Sequence, residues 1–131
     1  MNVLATGIFS LYNAGSDLKT NLTGGLHYEL PKQDTVEPYG VFNLIVGRPD
    51  YLFTEEQEIV TVQFDIYATT DAIRATLYGN LTSLYDDSRP TATGYTSIIM
   101  ERRLEQFLRE GDQNQIFRAI VEYEAMIEKS R

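Results

Sequence analysis

The chain has no cysteine, no tryptophan, a single histidine and, from residue 33 through 128, no lysine. Without cysteine there can be no disulfides, thiolate nucleophiles or Cys-ligated zinc, so the fold must close without cross-links of those kinds. The one histidine, His27, sits in a short strand-like segment. Nothing around it has the spacing of a triad or of a metal-ligand pair, and it reads as structural. The missing lysines bear on Pro49-Asp50 followed by Asp65-Ile66-Tyr67, which superficially has the acidic pattern of a Mg²⁺ nuclease. Tyr67 stands where such a site needs lysine, so the pattern reads as a Pro-Asp turn plus an outward strand carboxylate. Gly24-Gly25 lacks the spacing and the lysine of a phosphate loop. No run of about 18 apolar residues occurs, so no membrane span is expected. The stretch from Met1 to Phe9 lacks a basic leader, and no signal peptide is expected either.

What is present describes one globular domain spanning 1–131. The chain is 43% hydrophobic and 23% charged, a composition that supports a single core. A net charge of −8 argues against general nucleic-acid binding, which depends on Lys and Arg neutralising phosphates. Nine tyrosines and six phenylalanines are more aromatic surface than one small core needs. Tyr39, Tyr51, Phe53, Tyr67 and Tyr95 fall at segment ends or outward positions, which tilts the reading toward an oligomer. Each of them singly also fits a place at the core margin.

The chain is organised around residues 41–68. Val60, Val62, Phe64 and Ile66 alternate with Thr61, Gln63, Asp65 and Tyr67, the mark of a strand with one buried face. Val41 to Val46 is denser in apolar residues and suits a strand nearer the middle of a sheet. Gly47 to Glu56 joins the two as a long exposed loop with turn chemistry first and acid last. Upstream, Leu4, Ile8, Leu11 and Tyr12 mark a helix over 2–13. Ser16 or Asp17 caps a second turn carrying Leu18 and Leu22, and 26–30 reads as a short strand closed by Pro31. Downstream, Thr69 or Thr70 caps a helix from Asp71 to about Tyr85, striped by Ile73, Leu77, Leu81 and Leu84.

From Tyr95 the signals conflict. Met100, Leu104, Phe107 and Leu108 fit a helix, as do Ile116, Ile120, Tyr123 and Ile127. Phe117, Ala119, Val121, Tyr123, Ala125 and Ile127 alternate without a break, and Glu110 to Asn114 is turn material, so a β-hairpin is favoured. Strands that long reach roughly 40 Å, so the hairpin is expected to protrude or curve and to meet a partner. The fold class expected is α+β: an antiparallel sheet of four to five strands with one or two helices packed on one face.

This order resembles the tail terminator or tail-completion (tail-to-head joining) proteins of long-tailed bacteriophages. The likeness rests on Gly24-Gly25-Leu26-His27-Tyr28, on Pro38-Tyr39-Gly40-Val41-Phe42, and on the alternating strand Ile59 to Ala68. That strand contains the pattern V-x-F-D-I-Y-A and runs into the helix at Asp71-Ala72. The resemblance implies a structural virion protein at the tail-neck junction, assembled in the host cytoplasm. It implies a ring of six subunits that caps the tail tube, meets a connector or stopper protein, and lets DNA pass without specific binding. It implies no catalytic residue, no cofactor and no metal. Candidate interface or lumen residues are Arg48, Asp50, Tyr51, Phe53, Glu55 and Glu56 in the central loop, and Arg102, Arg103, Arg109 and Asp112 near the last turn. Read from the residues alone, the acids Glu55, Glu56 and Glu58 fit a solvated edge that keeps strands from mispairing or, alternatively, a charged surface facing Arg102, Arg103, Arg109 or Arg118 across a subunit boundary. Other readings are a different neck or head-tail connector component, a small α+β ligand-binding module and, least favoured, the nuclease.

Overall fold

The computed structural model describes residues 2–46, 57–91, 94–111 and 115–129. In chain order these form α1 (Asn2–Asn13), α2 (Asp17–Asn21), β1 (Leu26–Tyr28), β2 (Tyr39–Val46), β3 (Gln57–Ala68), α3 (Asp71–Tyr85), β4 (Tyr95–Glu110) and β5 (Ile116–Lys129). The strands make one sheet in the order β1-β2-β3-β5-β4. The fold is α+β, with all three helices contributing side chains to the core against one face of the sheet.

Local chemistry sets the helix boundaries. The Ser16 hydroxyl accepts from the Lys19 N–H at 3.2 Å and starts α2, while the Thr70 hydroxyl accepts from the Ile73 N–H at 3.1 Å and starts α3. Asp71 adds a negative charge at the positive end of the α3 dipole. Between α2 and β1, a side chain on Gly24 would run into the Val36 and Pro38 carbonyl oxygens, and its N–H donates to the latter at 2.7 Å. Gly25 follows at φ +85, so both glycines are required by the turn.

Alternation puts Val60, Val62, Phe64, Ile66 and Ala68 of β3 and Ala119, Val121, Tyr123, Ala125 and Ile127 of β5 on the covered face, all of them buried. Leu4, Ile8 and Tyr12 from α1, Leu18 and Leu22 from α2, and Leu77, Leu81 and Tyr85 from α3 complete the core. At its centre Phe64 stacks on Tyr85 at 4.7 Å and meets Phe42 at 5.7 Å and Tyr123 at 5.8 Å. The Tyr85 hydroxyl donates to the Ile8 carbonyl at 2.9 Å, tying α3 to α1.

Four expectations need correction. The sheet is mixed, because β1 pairs parallel with β2. Residues 29–38 connect the two strands. Three helices form instead of one or two, the third being α2, a five-residue turn held by its cap. Strand β2 is not central: β1 flanks only Gly40 to Phe42, and Ile45 beyond it is exposed. The C-terminal hairpin is real but does not project, because β5 lies between β3 and β4 and pairs with β3 from Ala68↔Phe117 to Gln57↔Glu128. The matching length of β3 takes up its reach. Register shifts at Tyr95/Ser97 and Arg102/Leu104 give β4 its irregularity.

Candidate functional site: the open sheet face and the β4 edge

Among the described residues helices cover only one face, so the second set of alternating residues forms an open surface. At one end a ladder crosses it. His27 of β1 lies edge-on to Tyr39 of β2 at 6.4 Å, and Tyr39 stacks on Tyr67 of β3 at 4.9 Å and 20°. Arg118 of β5 then lies 5.2 Å over the Tyr67 ring. The register Tyr39↔Tyr67↔Arg118 places these side chains opposite one another, where cross-strand pairs act. The Arg118 guanidinium donates from Nη2 and Nε to Asp65 Oδ1 at 3.0 and 3.2 Å, and reaches Glu110 at 3.4 Å. Gln63 supplies Asp65 Oδ2 with a donor at 3.3 Å. Asp65 is thus an open-face carboxylate that is nonetheless buried, satisfied by Arg118 and Gln63.

The electrostatics follow from this packing. Burial pushes the Tyr67 hydroxyl above its ordinary value, and the Asp65 charge adds to the rise. For Arg118, burial works against the charged form, but Asp65, Tyr67 and Glu110 together outweigh it and the guanidinium is held more firmly protonated than usual. His27 Nε2 donates to the Gly24 carbonyl at 2.9 Å, bracing the turn that precedes β1. Among the described residues no three His, Cys, Asp or Glu side chains are grouped to hold a metal. What this face offers is stacking and charge.

The β4 edge carries a second network. Arg102 reaches the Tyr78 hydroxyl, Glu105 at 3.2 Å and Asp86 at 3.4 Å. Asp86 also accepts from the Tyr123 hydroxyl at 2.7 Å; burial, then that carboxylate, pushes the Tyr123 phenol well above its ordinary range. Arg103 pairs with Glu101 at 2.8 Å and Glu124 at 3.0 Å. Arg74 of α3 lies between the rings of Phe107 and Phe117, at 5.4 and 5.3 Å, and donates to the Leu108 carbonyl at 2.9 Å. The Met100 N–H donates to the Ser88 carbonyl at 3.0 Å. Residues from α3 and the segment after it therefore occupy the outer backbone of β4 at two points and leave 102–106 between them.

Of the site residues expected from sequence, Arg48, Asp50, Tyr51, Phe53, Glu55, Glu56 and Asp112 lie outside the described residues. Arg102 and Arg103 come together on β4, and Arg109 is exposed further along it. Arg102, Arg103 and Arg118 all meet acids of their own chain. Sequence reasoning placed Tyr39 and Tyr67 outward but did not join them. It also missed Arg74 as the residue that clamps the β4 edge, because nothing in a helix names the strand it will face. A shallow cleft of about 360 Å³ lies between α2, Pro38 and the Ala72–Leu77 part of α3, with no charged side chain on its lining.

No family model matches the chain, and no curated protein matches it. Among solved structures it is similar to a chain from the virion of a native gene transfer agent (GTA) particle, with a TM-score of 0.76. The match has 9% identity and covers 97% of this chain and 96% of that one. A second solved chain matches with a TM-score of 0.63 and 8% identity over 97% of both. At such identities the likeness is one of fold.

Proposed function

We propose that this chain is a structural virion protein of the tail terminator type, a subunit of a six-membered ring that caps a tail tube and joins it to the neck. The observation that carries the reading is the fold likeness to a gene transfer agent virion chain across 97% of the sequence. The strand and turn pattern of residues 24–68 supports the finer assignment. A ring needs a heterologous contact whose rotation closes, because an open one gives a filament. It also needs no catalytic group, and the polar side chains described above are engaged in stacking and ion pairing.

The open sheet face suits a DNA passage. It carries Asp65, Glu101, Glu110, Glu122, Glu124 and Glu128 against Arg103 and Arg118, a net −4 of the chain's −8. Six copies would bring −48 to the ring. Facing the lumen, the acidic surface would repel phosphates and keep DNA from lodging there.

The test is solution mass by light scattering, alone and with purified tail tubes. A closed species of about six 14.9 kDa subunits, free or on tube ends, is expected. A persistent monomer that ignores tube ends would overturn the reading.

A further inference from the structure

We infer that the ring contact joins opposite edges of the sheet: the 29–37 loop of one copy docks over residues 102–109 of β4 in the next. This rests on the ring reading above and specifies which surfaces make the contact. The loop carries the two most exposed large apolar side chains among the described residues, Leu30 at 78% and Val36 at 70%. The β4 stretch carries Leu104 and Phe107, each 47% exposed, one on either face of the edge strand. A loop laid over that edge covers both, and a stable interface gathers such residues at its centre.

Charge is complementary on the same two segments. Glu29, Asp34 and Glu37 outweigh Lys32, giving the loop a net −2, while on the β4 stretch Arg102 and Arg103 are held by Asp86, Glu105, Glu101 and Glu124 of their own chain and the exposed Arg109 is the cation left to meet that loop. Charge matching of this kind selects register and partner more than it adds affinity.

Height in the sheet agrees as well. Register runs Tyr28↔Phe42↔Phe64↔Val121↔Glu105, so the loop leaving Tyr28 and the Leu104–Glu105 pair lie at one level on opposite edges. Moving one copy across the strand direction, with the turn per subunit that closes a ring, brings them together. Strand-to-strand pairing is disfavoured at the β1 edge, because β1 offers only the three residues Leu26–Tyr28. The contact is therefore made by loop side chains against a strand edge. The two surfaces differ, so the association is head-to-tail, as a ring requires.

The absence of cysteine allows a direct test. The double variant Val36→Cys/Leu104→Cys, oxidised on tube ends or in a self-associated sample, should give a ladder of disulfide-linked species up to the ring. Either single variant should give none. Arg109→Glu should weaken association at least tenfold, and added Glu37→Arg should restore part of it. Oligomers by light scattering without a ladder would overturn the edge-to-edge contact and leave the ring standing. A monomer both alone and with tubes would overturn both.

Discussion

The two faces of this sheet are built from the same strands and differ by one residue of parity, yet they are held by different physics. On the covered face of β3, Val60, Val62, Phe64 and Ile66 are fully buried. Their contribution is removal of apolar area from water, on the order of 1.5–3 kcal/mol for each large side chain. On the open face, Thr61, Gln63, Asp65 and Tyr67 keep contact with solvent or with one another, and only Asp65 of the four is buried. Cohesion there comes from cross-strand pairs such as Tyr39–Tyr67, worth about 1 kcal/mol or less, with the buried Asp65 and its partner Arg118 as the exception. Stability should therefore respond steeply to changes on one face and weakly to changes on the other, which leaves the open face free to vary with its surroundings.

The largest break in that contrast should come from Phe64→Ala. It empties the space between Phe42, Tyr85 and Tyr123, and a loss of about 3–5 kcal/mol is expected in a urea titration. A loss below about 1 kcal/mol would mean that the aromatic centre is not close-packed. Next in size is Asp65→Ala, the one open-face change expected to behave like a core change. It strips Arg118 of its main partner and should cost about 2 kcal/mol, with Asp65→Asn milder. If Asp65→Ala proved neutral, the ladder would be decoration.

Tyr85→Phe probes the covered face through pH. Burial holds the Tyr85 phenol well above its ordinary value of 10.0, so the native state keeps a proton that the unfolded chain releases. Its stabilising contribution is whole below pH 10 and is lost as pH rises beyond that toward the native value. Removing the hydroxyl should cost about 1 kcal/mol at neutral pH, through the bond to Ile8, and should flatten the fall in stability above pH 10. An unchanged alkaline limb would assign that fall to other groups. The smallest effect belongs to Ile45→Thr, on the exposed part of β2, where thermal melts should move by less than the equivalent of about 0.5 kcal/mol.

Much of this was legible in the chain itself. The strand at 57–68, the helix at 71–85 with its Thr70 cap, and the buried alternation of 119–127 all follow from one-dimensional periodicity. The 95–110 segment was harder. Leu104, Phe107 and Leu108 have helical spacing, but in the strand Leu104 and Phe107 are an odd number of residues apart and lie on opposite faces, and the bulge at Arg102/Leu104 puts this stretch out of step with Met100 and Arg102 before it. Arg102 and Arg103 were found as candidates because adjacent arginines stand out in an acidic chain. Their acids, Asp86, Glu105, Glu101 and Glu124, were not found.

By itself, then, the amino-acid order determined the helices and strands up to Tyr85, the apolar side of β3 and β5, and that the fold closes without disulfides. Periodicity, caps and glycine turns act over a few residues, so they can be read locally. Tertiary structure alone decided that β1 runs parallel to β2, that β5 inserts between β3 and β4, and that Asp65 meets Arg118 across 53 positions. Those outcomes depend on which surfaces cover one another once loops have closed. That choice among competing burials is made by the whole chain and is not encoded in any short stretch of it.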